Sequence, residues 1–145
     1  MRLSHLQTVA LLSLAFATLS ACSSKPEDVV VVAAERMNAI KDPRLDNAHA
    51  EGKWLVVRYK PIPTGGLSDG ELAKMSAAGL CTMSSIKAFL GTGGSIRLEL
   101  PRDGEYLGIE IERCDGSEPK LTTVNADGSK HVAANSWPTG APVQH

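Results

Sequence analysis

The stretch SIRLELPRDGEYLGIEIERC, residues 95–114, constrains the fold of this chain more than any other. Ile96, Leu98 and Leu100 alternate with Arg97 and Glu99, and Leu107, Ile109 and Ile111 alternate with Glu110 and Glu112. A period of two sends successive side chains to opposite faces of a strand. Pro101-Arg102-Asp103-Gly104 between the two runs is a turn signal, so the pattern predicts a hairpin with one dry face. The acidic run Glu99, Glu105, Glu110 and Glu112 then reads most simply as its wet face, with an acidic docking surface as the alternative.

The chain before the hairpin is punctuated into helix, strand and helix. Glu27 to Asp42 (EDVVVVAAERMNAIKD) predicts a first helix, opened by acids and closed by Lys41 near the negative helix end. Its four consecutive valines are poor helix formers and would also suit a strand. The spacing of Val30, Ala33, Ala34, Met37 and Ile40 is helical, and Pro43 ends the element. KWLVVRYK, residues 53–60, predicts a strand with Leu55, Val57 and Tyr59 on one face and Trp54, Val56 and Arg58 on the other. PIPTGG then forces a turn. Ser68 and Glu71 form a capping-box pattern, opening a helix that directs Leu72, Met75 and Leu80 inward. A shorter helical piece, Ser84 to Leu90, ends at the glycines of GTGG. After the hairpin, KLTTV and KHVAA around Asn125-Ala126-Asp127-Gly128 suggest a weak second hairpin. NSWPTGAPVQH reads as a loose tail with Trp137 as an anchor.

Residues 1–21 have the three parts of a secretory signal: Arg2 near the start, a mostly apolar run from Val9 to Leu19, and the small residues Ser20 and Ala21. The apolar run is too short to cross a bilayer as a helix, which takes about 20 apolar residues. An ordinary cleaved signal with an incidental Cys22 is the plain reading. Leu19-Ser20-Ala21-Cys22, however, resembles the lipobox of bacterial lipoproteins, in which the Cys is acylated and becomes the first mature residue. That resemblance implies lipidation at Cys22 and anchoring by several acyl groups, each buried CH₂ contributing about 0.8 kcal/mol. Ser23 after the Cys, by the same resemblance, implies export to the outer membrane, with the inner membrane as the alternative. The expected organisation is a signal peptide at 1–21, a lipidated tether at 22–26, a folded domain at 27–117 and a weakly structured extension at 118–145.

Too little chain remains after residue 21 for more than one domain. A formal net charge of −1 offers no basic stripe for nucleic acid, and 4% aromatic residues supply few stacking platforms. A core of this size usually needs a covalent staple. With Cys22 acylated, Cys81 and Cys114 are left in an oxidising compartment with a single possible pairing, which joins the end of a helix to the end of the hairpin. Two free thiols or a metal pair are the alternatives; the metal lacks a CxxC and any His at ligand spacing.

The chemistry-bearing residues give no catalytic pattern. His49, His131 and His145 lie in polar, loop-like sequence, away from cysteines and paired carboxylates, and read as solvated. There is no GxSxG. GTGG follows a helix and precedes a strand, the wrong order for a phosphate loop. Asp103-Gly104 and Asp127-Gly128 are turns without the alternating oxygen ligands of a calcium loop. The residues therefore indicate neither an enzyme, a cofactor nor a metal site.

The segment LCTMSSIKAFLGTGGSIRLELPRDGEYLGIEIERCD resembles the central block of the β-type pilotin lipoproteins of type II secretion systems. There a Cys closes a helix, a short helix runs into a Gly-containing turn, and a hairpin ends in the partner Cys. Cys81, Ile86 to Leu90, Gly93-Gly94 and Cys114 match those positions. The resemblance implies an α+β fold with a small antiparallel sheet packed against helices and one disulfide. It also implies a chaperone that binds a C-terminal segment of a secretin subunit and guides it to the outer membrane. An envelope lipoprotein with another binding role, as inhibitor or adaptor, is the rival. Trp54, Val56 and Tyr59 are the apolar residues proposed for partner binding, with an ordinary place in the core as the alternative for each.

Overall fold

A computed structural model of the protein describes residues 25–63 and 65–131. The segment expected to be a signal peptide, Cys22, Trp137 and His145 lie outside the described residues. The described elements run α1 (Pro26–Ala39), β1 (Leu45–Glu51), β2 (Trp54–Tyr59), α2 (Asp69–Leu80), α3 (Ser84–Gly91), β3 (Ser95–Arg102), β4 (Glu105–Ile111), β5 (Lys120–Val124) and β6 (Lys130–His131).

The four valines of α1 are helical. Pro26 occupies the first turn, where a missing N–H costs nothing, and Glu27 and Asp28 stand at the positive end of the helix. Val30, Ala33, Ala34 and Met37 form the buried stripe. The helix stops before its expected end because Lys41 turns left-handed, at φ 56°, ahead of Pro43, and this leaves Ile40 38% exposed. In α2 the capping box is formed: the Ser68 N–H donates to Glu71 Oε2 at 2.9 Å, and the Glu71 N–H donates to Ser68 Oγ at 3.3 Å. Leu72 and Leu80 point inward as expected, but Met75 is 49% exposed. At about 3.6 residues per turn, five residues carry Met75 roughly 140° around the helix from Leu80, onto the outer side.

The strands form one sheet in the order β1-β2-β3-β4-β5-β6. The predicted hairpin is present, with Ile96 opposite Ile111, Leu98 opposite Ile109 and Leu100 opposite Leu107. Asp103 and Gly104 both have positive φ, 42° and 90°, as a two-residue hairpin turn requires. The α+β class holds, but the sheet is mixed rather than antiparallel, because β2 and β3 pair in parallel. A parallel pair needs a long crossover connection, and α2 and α3 are that crossover.

β1 was not foreseen. Its sequence, LDNAHAE, lacks β-branched residues, and it gains its strand conformation by pairing with β2. His49 is thus on a strand rather than in a loop. Asn38 of α1 completes the β1 edge: its Nδ2 donates to the Ala48 carbonyl at 2.7 Å, and its Oδ1 accepts from the Ala48 N–H at 2.7 Å. Two backbone groups of an edge strand are covered in this way. The sheet also continues past residue 117, where a weakly structured extension was expected. β5 pairs with β4 over Lys120 to Val124, and β6 pairs with β5, so the second hairpin joins the sheet as far as His131, the rest of KHVAA lying outside the described residues.

One contiguous core joins the buried stripes of the helices to Leu55, Val57, Tyr59, Ile96, Leu98, Leu100, Leu107, Ile109 and Ile111. Cys81 and Cys114 pack against it and form the disulfide, with Cα atoms 5.4 Å apart.

Candidate functional site

β3 lies between β2 and β4, and every residue from Ser95 to Leu100 is buried. Ile96, Leu98 and Leu100 enter the core on the helix side. Ser95, Arg97 and Glu99 point to the opposite face, and Arg97 and Glu99 are 0% and 1% exposed. The expectation of a wet face is therefore overturned at Glu99, the carboxylate nearest the sheet centre. Glu105 remains exposed, and Glu110 and Glu112 are half-buried.

The burial of two charges on a sheet face without helices follows from curvature. Lys130 of β6 contacts Glu51 of β1, Nζ to Oε2, at 3.3 Å. In a flat sheet of this strand order those strands would lie about 24 Å apart, well beyond the reach of the two side chains. The sheet must curl until its two edges approach across the face that holds Arg97. Val56 and Val124, at 0% and 1% exposure, are buried on this concave side, apart from the helix-side core. Gly108 allows the curl to pack tightly. A Cβ there would lie 2.3 Å from Thr122 Oγ1, 3.3 Å from Val124 Cγ2 and 3.4 Å from Arg97 Cδ.

Arg97 is the hub of the concave face. Its Nη2 donates to Glu51; its Nε lies 3.5 Å from Glu99 Oε1 and its Nη1 3.9 Å from Glu110 Oε1. Those last two nitrogens have ionic neighbours but no hydrogen-bond acceptor among the described residues. Arg58 Nε and Nη2 both reach Glu99 Oε2, at 2.8 and 2.7 Å, and the Arg58 guanidinium stacks 4.3 Å from the Tyr106 ring centroid. Three cations, Arg58, Arg97 and Lys130, thus face three carboxylates, Glu51, Glu99 and Glu110. Matched charges offset the desolvation that a lone buried ion would suffer.

At the mouth of this face the half-buried Trp54 ring gathers three cations: Lys53 at 5.7 Å, Arg97 at 5.7 Å and Lys130 at 5.9 Å. His49 Nε2 lies 3.2 Å from Glu51 Oε1. Burial tends to raise the Glu51 pKa, but the His49 contact and the charges of Arg97 and Lys130 outweigh it and hold the carboxyl below its ordinary value. A charged, aromatic-lined mouth of this kind suits polar recognition and the fixing of sheet curvature.

The three residues proposed for partner binding do not form one surface. Trp54 and Val56 lie on the concave side, Trp54 at its mouth and Val56 fully buried. Tyr59 belongs to the helix-side core at 6% exposure, where burial pushes its phenol well above its ordinary pKa. A separate surface groove of about 290 Å³ runs beside the disulfide, lined by Ala77, Ala78, Cys81, Cys114 and Pro119, with the exposed Lys74–Glu118 pair at 2.9 Å on its rim. No group of three His, Cys, Asp or Glu side chains is placed to hold a metal ion among the described residues.

Arg58, Arg97, Glu51 and Lys130 were missed as a site because they come from separate strands. Gly108 was the available signal, since a glycine inside a strand marks close approach of neighbouring atoms. Comparison with known proteins gives no match: no family model fits the chain, and no curated protein or solved structure is similar to it.

Proposed function

We propose that this chain is a lipoprotein of the outer membrane, held by acylated Cys22 on the periplasmic face, and that it acts as a pilotin-like chaperone. Its partner is the C-terminal segment of a secretin subunit, which it guides to the outer membrane. The observation that carries this reading is the block from Cys81 to Cys114. The helix ending at Cys81, the short α3, the Gly93-Gly94 turn, the β3–β4 hairpin and the disulfide occur in the order that the pilotin resemblance implies. A stapled domain tied to a membrane by a short leash suits the capture of a protein segment and its delivery to a lipid surface.

The test is affinity purification of the lipidated protein from detergent-solubilised membranes, with mass spectrometry of what accompanies it. A secretin subunit should be recovered, and lost when its C-terminal segment is deleted. Recovery of other envelope proteins without a secretin would replace this reading with that of an inhibitor or adaptor.

A further inference from the structure

Pro26, the first residue of α1, follows Cys22 after only three intervening residues, four Cα-to-Cα steps along the chain. Fully extended, that length of chain spans about 14 Å. The domain therefore cannot swing freely about its anchor, and its orientation follows from what surrounds the start of α1.

Several connections meet there. Pro26 Cγ lies 3.8 Å from the position a Cβ would take on Gly93, so the start of α1 touches the α3–β3 turn. The Ser95 N–H donates to the Lys53 carbonyl at 2.9 Å, which adds the β1–β2 turn. Lys53 and Lys120 share one carboxylate, Glu112, at 3.8 and 3.0 Å, which brings in the β4–β5 connection. Lys25, Lys53, Thr92, Gly93 and Lys120 are exposed at this end. Glu27 and Asp28 are also here, set against the positive end of α1. The opposite end holds the Asp103-Gly104 turn, exposed Glu105 and the start of α2, where the carboxylates of Asp69 and Glu71 lie. β3 alone spans about 23 Å between the two ends, more than the tether can reach.

We propose that the end formed by Lys25, the Gly52-Lys53 turn, the Thr92–Gly94 turn and the Glu112–Lys120 connection is a membrane-facing surface that rests on phospholipid headgroups. The hairpin turn at Asp103-Gly104 then points away from the bilayer, toward a partner. Cations Lys25, Lys53, Arg113 and Lys120 are interleaved at this end with Glu27, Asp28, Glu112, Asp115 and Glu118, so no excess of positive charge draws it to lipid, and the length of the tether is what turns it toward the bilayer. This inference rests on the lipoprotein reading of Cys22.

The experiment uses the full lipidated chain with its disulfide intact, in two variants, Thr92→Cys and Glu105→Cys. Each is labelled with an environment-sensitive fluorophore and reconstituted into vesicles of phosphatidylethanolamine and phosphatidylglycerol containing a headgroup spin-labelled lipid. Quenching at position 92 should exceed that at position 105 several-fold. Intact-mass analysis and vesicle flotation of the same samples report the anchor separately. Lipid mass present, flotation intact and equal quenching, or stronger quenching at 105, would overturn the orientation and leave the anchor standing. Absence of the lipid mass would overturn the anchor, and the orientation with it.

Discussion

Gly108 and Arg97 define each other. The backbone of β4 comes close enough to Thr122, Val124 and Arg97 that a Cβ at position 108 would be 2.3 Å from the Thr122 hydroxyl. Gly108→Ala should cost about 1–3 kcal/mol, the range for overpacking a filled site. A urea midpoint equal to that of the parent would show that the concave face is looser than described. Arg97→Met leaves Glu51 and Glu110 without their central cation and should cost about 3–5 kcal/mol, as expected when one partner of a buried pair is removed. Unchanged stability in the same assay would remove the hub role. Glu51 adds a pH signature. Its carboxyl is held below the ordinary value of 4.5, so its contribution is present above that value and is lost as pH falls through the lower, folded one. In Glu51→Gln the acid-side fall in stability should be shallower, as read by urea midpoints between neutral pH and the acid limb.

The disulfide and the edge strands decide how the elements hold together. Cys81 and Cys114, 33 residues apart, close a loop that contains α3 and the whole β3–β4 hairpin. In the chain-entropy view such a bridge contributes about 3–4 kcal/mol. Alkylation should count two fewer thiols before reduction than after, and reduction should lower the thermal midpoint; equal counts would rule the bridge out. β5 is as necessary as the staple. Its Val124 and Thr122 are buried at 1% and 6%, and it covers the outer edge of β4. A chain cut after residue 117 should therefore lose cooperative unfolding and aggregate through the exposed β4 edge. A monomeric, cooperatively melting product, seen by size-exclusion chromatography and circular dichroism, would show that the sheet closes without it.

At the scale of the molecule, the domain has two differently built faces on one sheet, an apolar one under three helices and a charged one inside the curl. The proposed anchor adds a direction to that object. Cys22→Ala should release a soluble periplasmic form on fractionation. Retention in the membrane would mean that something other than an acyl group holds the protein there.

Local patterns were legible because local physics produces them. The β3–β4 hairpin follows from period-two alternation around Asp103-Gly104, the start of α2 from Ser68 and Glu71, and the inner stripe of α1 from Val30, Ala33, Ala34 and Met37. The pairing of Cys81 with Cys114 follows from there being no other partner once Cys22 is set aside. Tertiary structure decided what alternation cannot encode. The same Arg97 and Glu99 pattern describes an exposed strand and a central strand of a curled sheet, because the pattern records which residues share a face and not what covers that face. β1 has little strand propensity of its own and exists because β2 and Asn38 satisfy its backbone. The parallel β2–β3 pairing depends on how α2 and α3 return the chain across the sheet. The ionic hub gathers Glu51, Arg58, Arg97, Glu99, Glu110 and Lys130 from five strands, and only the closing curvature of the sheet brings those charges within reach of one another.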